Sequence, residues 1–305
     1  MLQIKIMLKK ILILSIISVF PMFAQTAGNS GLSFLKNGVS AKNISLSDIG
    51  TLDGNVSSVF YNPAVVAIIG NPQISFTHQA WVQDLSSEII NANFKLFNIP
   101  FAVGINTTKI GGFEVRTKPT ATPDAVINLN YFYGSISTGY NITDNLSAGA
   151  TVKYLYESIF ADEANGLGFD LGLVYSKLIK GLTLGASVRN LGNMNKLRNE
   201  KTKLPSDVRF NAMYKMNIDA ISSEVTAIGG VQKYLDADNI HIHLGAEVTY
   251  LKQFSVRLGY ITGYESKGLT FGGGVLWNGF NFDYAYTPFG FGIGNAHTVT
   301  LGYGF

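Results

Sequence analysis

The sequence predicts an all-β protein, a transmembrane antiparallel β-barrel of about 14 strands with an N-terminal, partly helical plug segment. Three observations carry this expectation. Charged residues make up 14% of the chain while hydrophobic ones reach 47%, against roughly 25% charged in ordinary soluble domains. Beyond the first 25 residues no apolar run approaches the roughly 18 to 20 residues that a membrane helix needs. The apolar residues instead alternate with polar ones, a period of two that gives a strand two unlike faces.

Residues 1–24 read as a cleaved export signal. Lys5, Lys9 and Lys10 form a positive start, and Ile11 to Phe20 form an apolar stretch too short to anchor. Cleavage after Ala24 leaves Gln25 first and takes the formal charge from +3 to zero, so no nucleic-acid partner is implied. Cysteine is absent, which excludes disulfides, thiol metal sites, cysteine nucleophiles and a lipid-modified cysteine after the signal.

Residues 25–72 lack strand alternation and are expected to plug the periplasmic mouth in part. Asn62-Pro63-Ala64 reads as a helix start, Asn62 capping and Pro63 at the first helical position. Gly70-Asn71-Pro72 stops it. Residues 73–305 carry the barrel, with strands near 73–81, 87–97, 100–109, 127–140, 145–158, 165–177, 181–190, 205–216, 222–235, 239–251, 254–263, 268–277, 280–288 and 296–305. Each is near the 9 to 11 residues of a tilted membrane strand, some with extensions. Tyr131-Phe132-Tyr133 interrupts the alternation in the fourth and suggests a bulge there.

Connections after even strands are short, as at Asn98-Ile99, Lys252-Gln253 and Asn278-Gly279, the last a strong type I′ hairpin signal. Several connections after odd strands are long and polar. Short periplasmic turns and longer external loops describe an outer-membrane barrel. Even strands end in or near aromatics (Phe97, Tyr140, Tyr175, Tyr214, Tyr250, Trp277 and Phe305), as a girdle at one membrane boundary would. In the last strand Val299, Leu301, Tyr303 and Phe305 face lipid. A terminal Phe closing such a strand resembles the signal read by the outer-membrane barrel assembly machinery.

Strand parity directs Lys153, Asp170, Arg189, Arg209, Glu247, Arg257 and Asp283 into the lumen. Pairing Tyr250 with Phe254 sets Glu247 opposite Arg257, an attractive cross-strand pair, and the Asn278-Gly279 turn sets Trp277 opposite Phe280 and Asp283 opposite Gly274. These charges read either as a structural network or as a path for a polar or amphipathic ligand. His241 and His243 share one face, yet nothing nearby in sequence completes a metal site. His78 and His297 face outward and approach each other if the barrel closes. No Gly-x-Ser-x-Gly elbow, His-Glu-x-x-His helix or phosphate loop is present, so neither catalytic residues nor a cofactor are expected.

The run Val59-Phe60-Tyr61-Asn62-Pro63-Ala64 ahead of the first strand resembles the PorV/PorQ family, itself related to FadL-type channels for hydrophobic compounds. Gly31 to Lys36, Trp81 to Asp84, Val152 to Glu157, Phe169 to Leu173, Val188 to Gly192 and Leu204-Pro205 resemble it in the same order. The chain departs from the family at Lys42, where an Arg followed by Met-Gly is usual, and at Asp53-Gly54, where the family has an acidic pair. The resemblance implies an outer-membrane protein supporting type IX secretion, binding cargo C-terminal domains or secretion subunits through Gly111–Asp124, Phe160–Asn165, Asn193–Lys203 and Pro288–Asn295. A FadL-like passive channel and a barrel serving as an assembly scaffold stand as alternatives.

Overall fold

The computed structural model describes residues 30–305; the expected export signal lies outside the described residues. Among these, fourteen antiparallel strands close into a barrel in sequence order. They are β1 (Gln73–Ala80), β2 (Leu85–Leu96), β3 (Ile99–Val115), β4 (Ala125–Asn141), β5 (Leu146–Ile159), β6 (Asp162–Ser176) and β7 (Leu182–Met194). The second half comprises β8 (Asp207–Ile218), β9 (Ser223–Tyr234), β10 (Ile240–Tyr250), β11 (Phe254–Ile261), β12 (Leu269–Trp277), β13 (Phe280–Pro288) and β14 (Asn295–Gly304). Strand β14 meets β1 from Gly304↔Gln73 to His297↔Ala80, so no edge is left open.

Local turn chemistry sets the register. Asn278 and Gly279 adopt φ of 49° and 82°, as a type I′ turn requires, and Trp277 stands opposite Phe280. Tyr250 stands opposite Phe254, and Glu247 consequently opposite Arg257. Short turns gather at one end of the barrel, the turn end. Longer connections gather at the other, the loop end, where β3 and β4 project as a ribbon and residues 195–206 carry a small hairpin pairing Lys196 with Lys201.

Two irregularities differ from the sequence reading. β4 is continuous: Tyr133 is buried in the lumen and Phe132 faces out, because the barrel also accepts aromatics on its inner face. The bulge lies on its neighbour, where Gly111 and Gly112 interrupt β3 between the pairs Ile110↔Leu129 and Phe113↔Ile127. A second bulge sets Arg189 and Asn190 together against Asp170, with Asn190 at φ 56°, and aims both side chains inward.

Outward positions are apolar and exposed around the cylinder, including Phe76, Ile90, Val152, Leu171, Leu244, Leu258, Phe282 and Leu301. A continuous apolar band of this extent has no stable contact with water and marks a membrane-facing surface. Phe97, Tyr140, Trp277 and Phe305 ring the turn end.

Residues 30–72 occupy the lumen. They contain 3-10 turns at Ser33–Lys36, Val56–Phe60 and Pro63–Ile68 and one short helix, α1 (Ala41–Ser45), capped by Ser40. The segment is not confined to the turn-end mouth. Gly31 N–H donates to Lys203 O at the loop end (3.0 Å), and Phe305 N–H donates to Pro72 O at the turn end (3.0 Å), so the plug runs the length of the barrel. It does so because its apolar residues, from Leu32 to Ile69, have no other core to enter; they form the buried clusters of the molecule with Tyr133, Leu155, Val174 and Ile228 of the wall.

Candidate functional site: a plugged lumen, hollow on one side

The wall receives the plug on glycines. Gly139, Gly149 and Gly172 stand directly across β4, β5 and β6 from one another and face inward as a shelf. A Cβ on Gly149 would lie 2.4 Å from the Pro63 carbonyl group, and one on Gly172 would lie 2.0 Å from Asn62 Oδ1. Asn62 is thus seated against the wall. Its Oδ1 accepts from Ala64 N–H (3.0 Å), and its Nδ2 donates to Leu173 O (2.9 Å) and Ala186 O (3.2 Å). Pro63 opens the turn and Ala64, fully buried, fits where a larger residue would not. Opposite, Gly259 and Gly272 admit Ser47 and Ser45 in the same way.

Several buried plug carbonyls are met by wall side chains. Arg189 donates to Phe60 O, Arg209 to Asp48 O, Ser187 to Tyr61 O, Asn211 to Gly50 O and His243 to Ser47 O. Around these lie the charges that parity placed in the lumen, all seven buried. Lys153 pairs with Asp170 at 2.6 Å and reaches Asn190 Oδ1 at 2.9 Å. Arg189 forks onto Asp207 (2.9 and 2.6 Å), and Arg209 joins the same carboxylate at 3.2 Å. Arg257 bridges Glu247 and Asp283, the latter at 2.6 Å. The structure therefore gathers the seven into three separate networks. Buried charges persist only when paired and hydrogen-bonded, and these are.

Sequence reasoning missed the partners that complete the networks. Asp207 shares Arg209's parity, and that signal could have found it. Asn190 enters through a bulge that parity cannot foresee. The two departures from the PorV/PorQ pattern, Lys42 and Asp53, are each other's partner at 2.6 Å. Burial opposes charge on both, but each outweighs it for the other: with Lys215 also near, Asp53 is held well below the usual carboxylate range, and Lys42 is held above its ordinary value, Glu247 assisting. Asp48, desolvated and hydrogen-bonded by Tyr61 at 2.6 Å, is pushed up by burial despite Lys267 and Arg209.

The histidines are apart from any ligand set. His241 stacks on Tyr264 (4.0 Å between centroids), and no group of three or more His, Asp or Glu able to hold a metal occurs among the described residues. His78 pairs with Glu88 and His297 with Tyr284 on the outer surface, on adjoining strands one pair out of step.

The plug does not fill the lumen evenly. Beside Tyr133 and Lys153 the void left against β2–β5 measures about 10 Å³. On the other side a cavity of about 650 Å³ lies between the plug and the turn-end halves of β8–β14 and β1. Lys42, Lys215, Arg257 and Glu247 line it together with Ser57, Ser75, Thr249 and Asn281 and the apolar Val56 and Leu276. Most charge on this lining is paired, Lys42 with Asp53, Lys215 with Glu224, and Arg257 with Glu247 and Asp283, and a little apolar surface is interspersed, so the chamber suits a small amphipathic molecule more than an ion.

No protein-family model matches the chain, and no curated protein matches it in sequence. Solved structures share its fold. The Pseudomonas putida toluene transporter TodX superposes with a TM-score of 0.61 at 12% identity, over 88% of this chain and 98% of that one. The CymD monoaromatic hydrocarbon channel gives 0.60 at 12% identity, over 88% and 98%. A Pseudomonas aeruginosa FadL homologue gives 0.56 at 12% identity, over 88% and 99%. The chain has the architecture of these FadL-family channels, a closed 14-stranded barrel.

Proposed function

We propose that this chain is an outer-membrane channel for small hydrophobic or amphipathic molecules, closed at rest by its plug. The observation that carries the reading is the 650 Å³ cavity left between plug and wall, of a size for such a molecule and lined by mostly paired charges, small polar residues and the apolar Val56 and Leu276. Likeness in fold to hydrocarbon channels supports it. Outer-membrane lipid would surround the apolar band, and the assembly machinery would read Val299, Leu301, Tyr303 and Phe305 on β14. The test is uptake of a hydrophobic fluorophore, N-phenyl-1-naphthylamine, by intact cells producing the chain. Uptake several-fold above that of cells lacking it is expected; equal rates would sink the proposal.

A second reading, support of type IX secretion in the PorV/PorQ manner, rests on one observation. At the loop end the β3–β4 ribbon presents Phe113, Val115 and Val126 exposed beyond the barrel, a surface that a channel does not need. Co-purification with surface proteins sharing a C-terminal domain, lost on shortening the ribbon, is the outcome it requires.

A further inference from the structure

The asymmetry of the plug says where a passage opens, if the chain is the channel proposed above. We infer that the route runs on the β11–β14/β1 side of the lumen, with α1 (Ala41–Ser45) as its gate and the Asn62-Pro63-Ala64 side staying shut.

On the β4–β6 side, plug backbone rests on the glycine shelf at contact distance, and Ala64, Val65, Val66 and Ile69 belong to the large apolar cluster that also takes in Leu52, Val56 and Val59. Opening there would expose that cluster. Glycines also seat the gate, Gly272 against Ser45 and Gly259 against Ser45 and Ser47, so the gate differs in its other contacts. Its buried apolar contact is a small group, Ala41 and Ile44 against Ala285 of β13. Its polar ties to the wall are two: Ala41 N–H donates to Thr300 Oγ1 (2.9 Å) and Thr270 Oγ1 donates to Ser45 O (3.2 Å). Local opening follows the fewest buried apolar contacts, so α1 is the part of the plug that yields first.

Its position fits the role. Ala285, Gly272 and Gly259 stand five residues, and Thr300 four, from the turn-end limit of β13, β12, β11 and β14; α1 and the residues after it touch all four, while most of the wall residues lining the cavity lie nearer that end. The helix therefore roofs the chamber. Directly after it, Ser47 and Asp48 take φ of 66° and 62°, consecutive left-handed residues at the point where a lifting segment would turn. The wall beside the chamber carries small inward residues, Ser75, Ser255, Gly274 and Gly302, which leave width once the helix moves.

The chain has no cysteine, so paired substitutions give single disulfides. Ala41→Cys with Thr300→Cys ties the gate to β14; Gly31→Cys with Thr202→Cys, where a Cβ on residue 31 lies 3.5 Å from that of Thr202, ties the start of the plug to the loop end, away from the chamber. Oxidation of the first pair should abolish fluorophore uptake, with recovery on reduction, while oxidation of the second leaves uptake unchanged. Uptake unaffected by the first tie, or abolished equally by the second, overturns the assignment. Hydrogen exchange on the unmodified protein reads the gate without transport: amides of Ala41–Leu46 should exchange at least tenfold faster than those of Ala64–Ile69, and the opposite order overturns it. If wild-type cells show no uptake, the channel reading fails, and exchange alone decides whether α1 is the movable element.

Discussion

Substituting Gly149 with alanine tests whether the wall seats the plug by the absence of side chains. Gly149 has no left-handed backbone conformation, so alanine is allowed there and the effect is one of packing alone. The added Cβ would lie 2.4 Å from Pro63 C and O and 2.5 Å from Ala64 N. Non-bonded carbons rest at about 3.5–4.0 Å, so the plug backbone must retreat by about 1 Å. The obstacle is backbone on both sides, and no flexible side chain can give way. Overpacking of this kind costs about 1–3 kcal/mol, which is roughly 5- to 150-fold in the population of the unseated plug. Retreat also draws Asn62 from Leu173 O and Ala186 O, so the upper half of that range is expected. Amide hydrogen exchange of residues 62–69 measures the population directly, in detergent or lipid, with the barrel amides as internal reference. Gly273→Ala serves as the control, because the nearest atom to its Cβ is Ser255 O at 3.4 Å. Exchange in Gly149→Ala equal to that of wild type and of Gly273→Ala would refute the seating argument.

Asn62→Asp should be more damaging to plug seating than Asn62→Ala, although Asp is as good a helix cap as Asn; the carboxylate keeps the acceptor for Ala64 N–H but directs charge at two carbonyl oxygens, and exchange of the same amides ranks the two. Asp207→Leu leaves Arg189 and Arg209 buried without their shared carboxylate and should destabilise the folded protein by about 3–5 kcal/mol, seen as a lowered urea midpoint in micelles; a change within 0.5 kcal/mol, roughly that of a surface substitution, would count against the network. The sign for Asp53 follows from its depressed pKa: its contribution is fully present above the ordinary carboxylate value of about 3.9 and is lost only as pH falls through a still lower one. Asp53 therefore adds no slope between roughly pH 7 and 5, and exchange across residues 41–53, corrected for intrinsic rates, should show the same pH dependence in Asp53→Asn as in wild type, any slope there belonging to groups such as the upshifted Asp48. In Lys42→Met the carboxylate keeps the Thr51 hydroxyl at 2.8 Å but, as a charge partner, only Lys215 at 3.9 Å, so opening of that segment should rise about tenfold or more at neutral pH, as for removal of one partner of a buried pair.

The barrel was legible in the sequence because its signals are local. Alternation from Phe280 to Tyr286 assigns each side chain a face without reference to any other strand, and Asn278-Gly279 sets a register through the conformations those two residues allow. The pairing of Glu247 with Arg257 followed from one short turn. Between them, period and turn chemistry gave about 14 strands, their faces and the registers at two turns, Lys252-Gln253 and Asn278-Gly279. What tertiary structure decided is the interior. Lys42 finds Asp53 across a folded plug, Asn190 reaches Lys153 only because a bulge turns it inward, and Gly149 meets Pro63 from a strand distant in sequence. The hollow on the β8–β1 side is the difference between two surfaces that meet in space. Parity says that a residue faces the lumen but not what stands across it, because that depends on how the strands stagger around the barrel and on the path of a plug with no repeating pattern of its own.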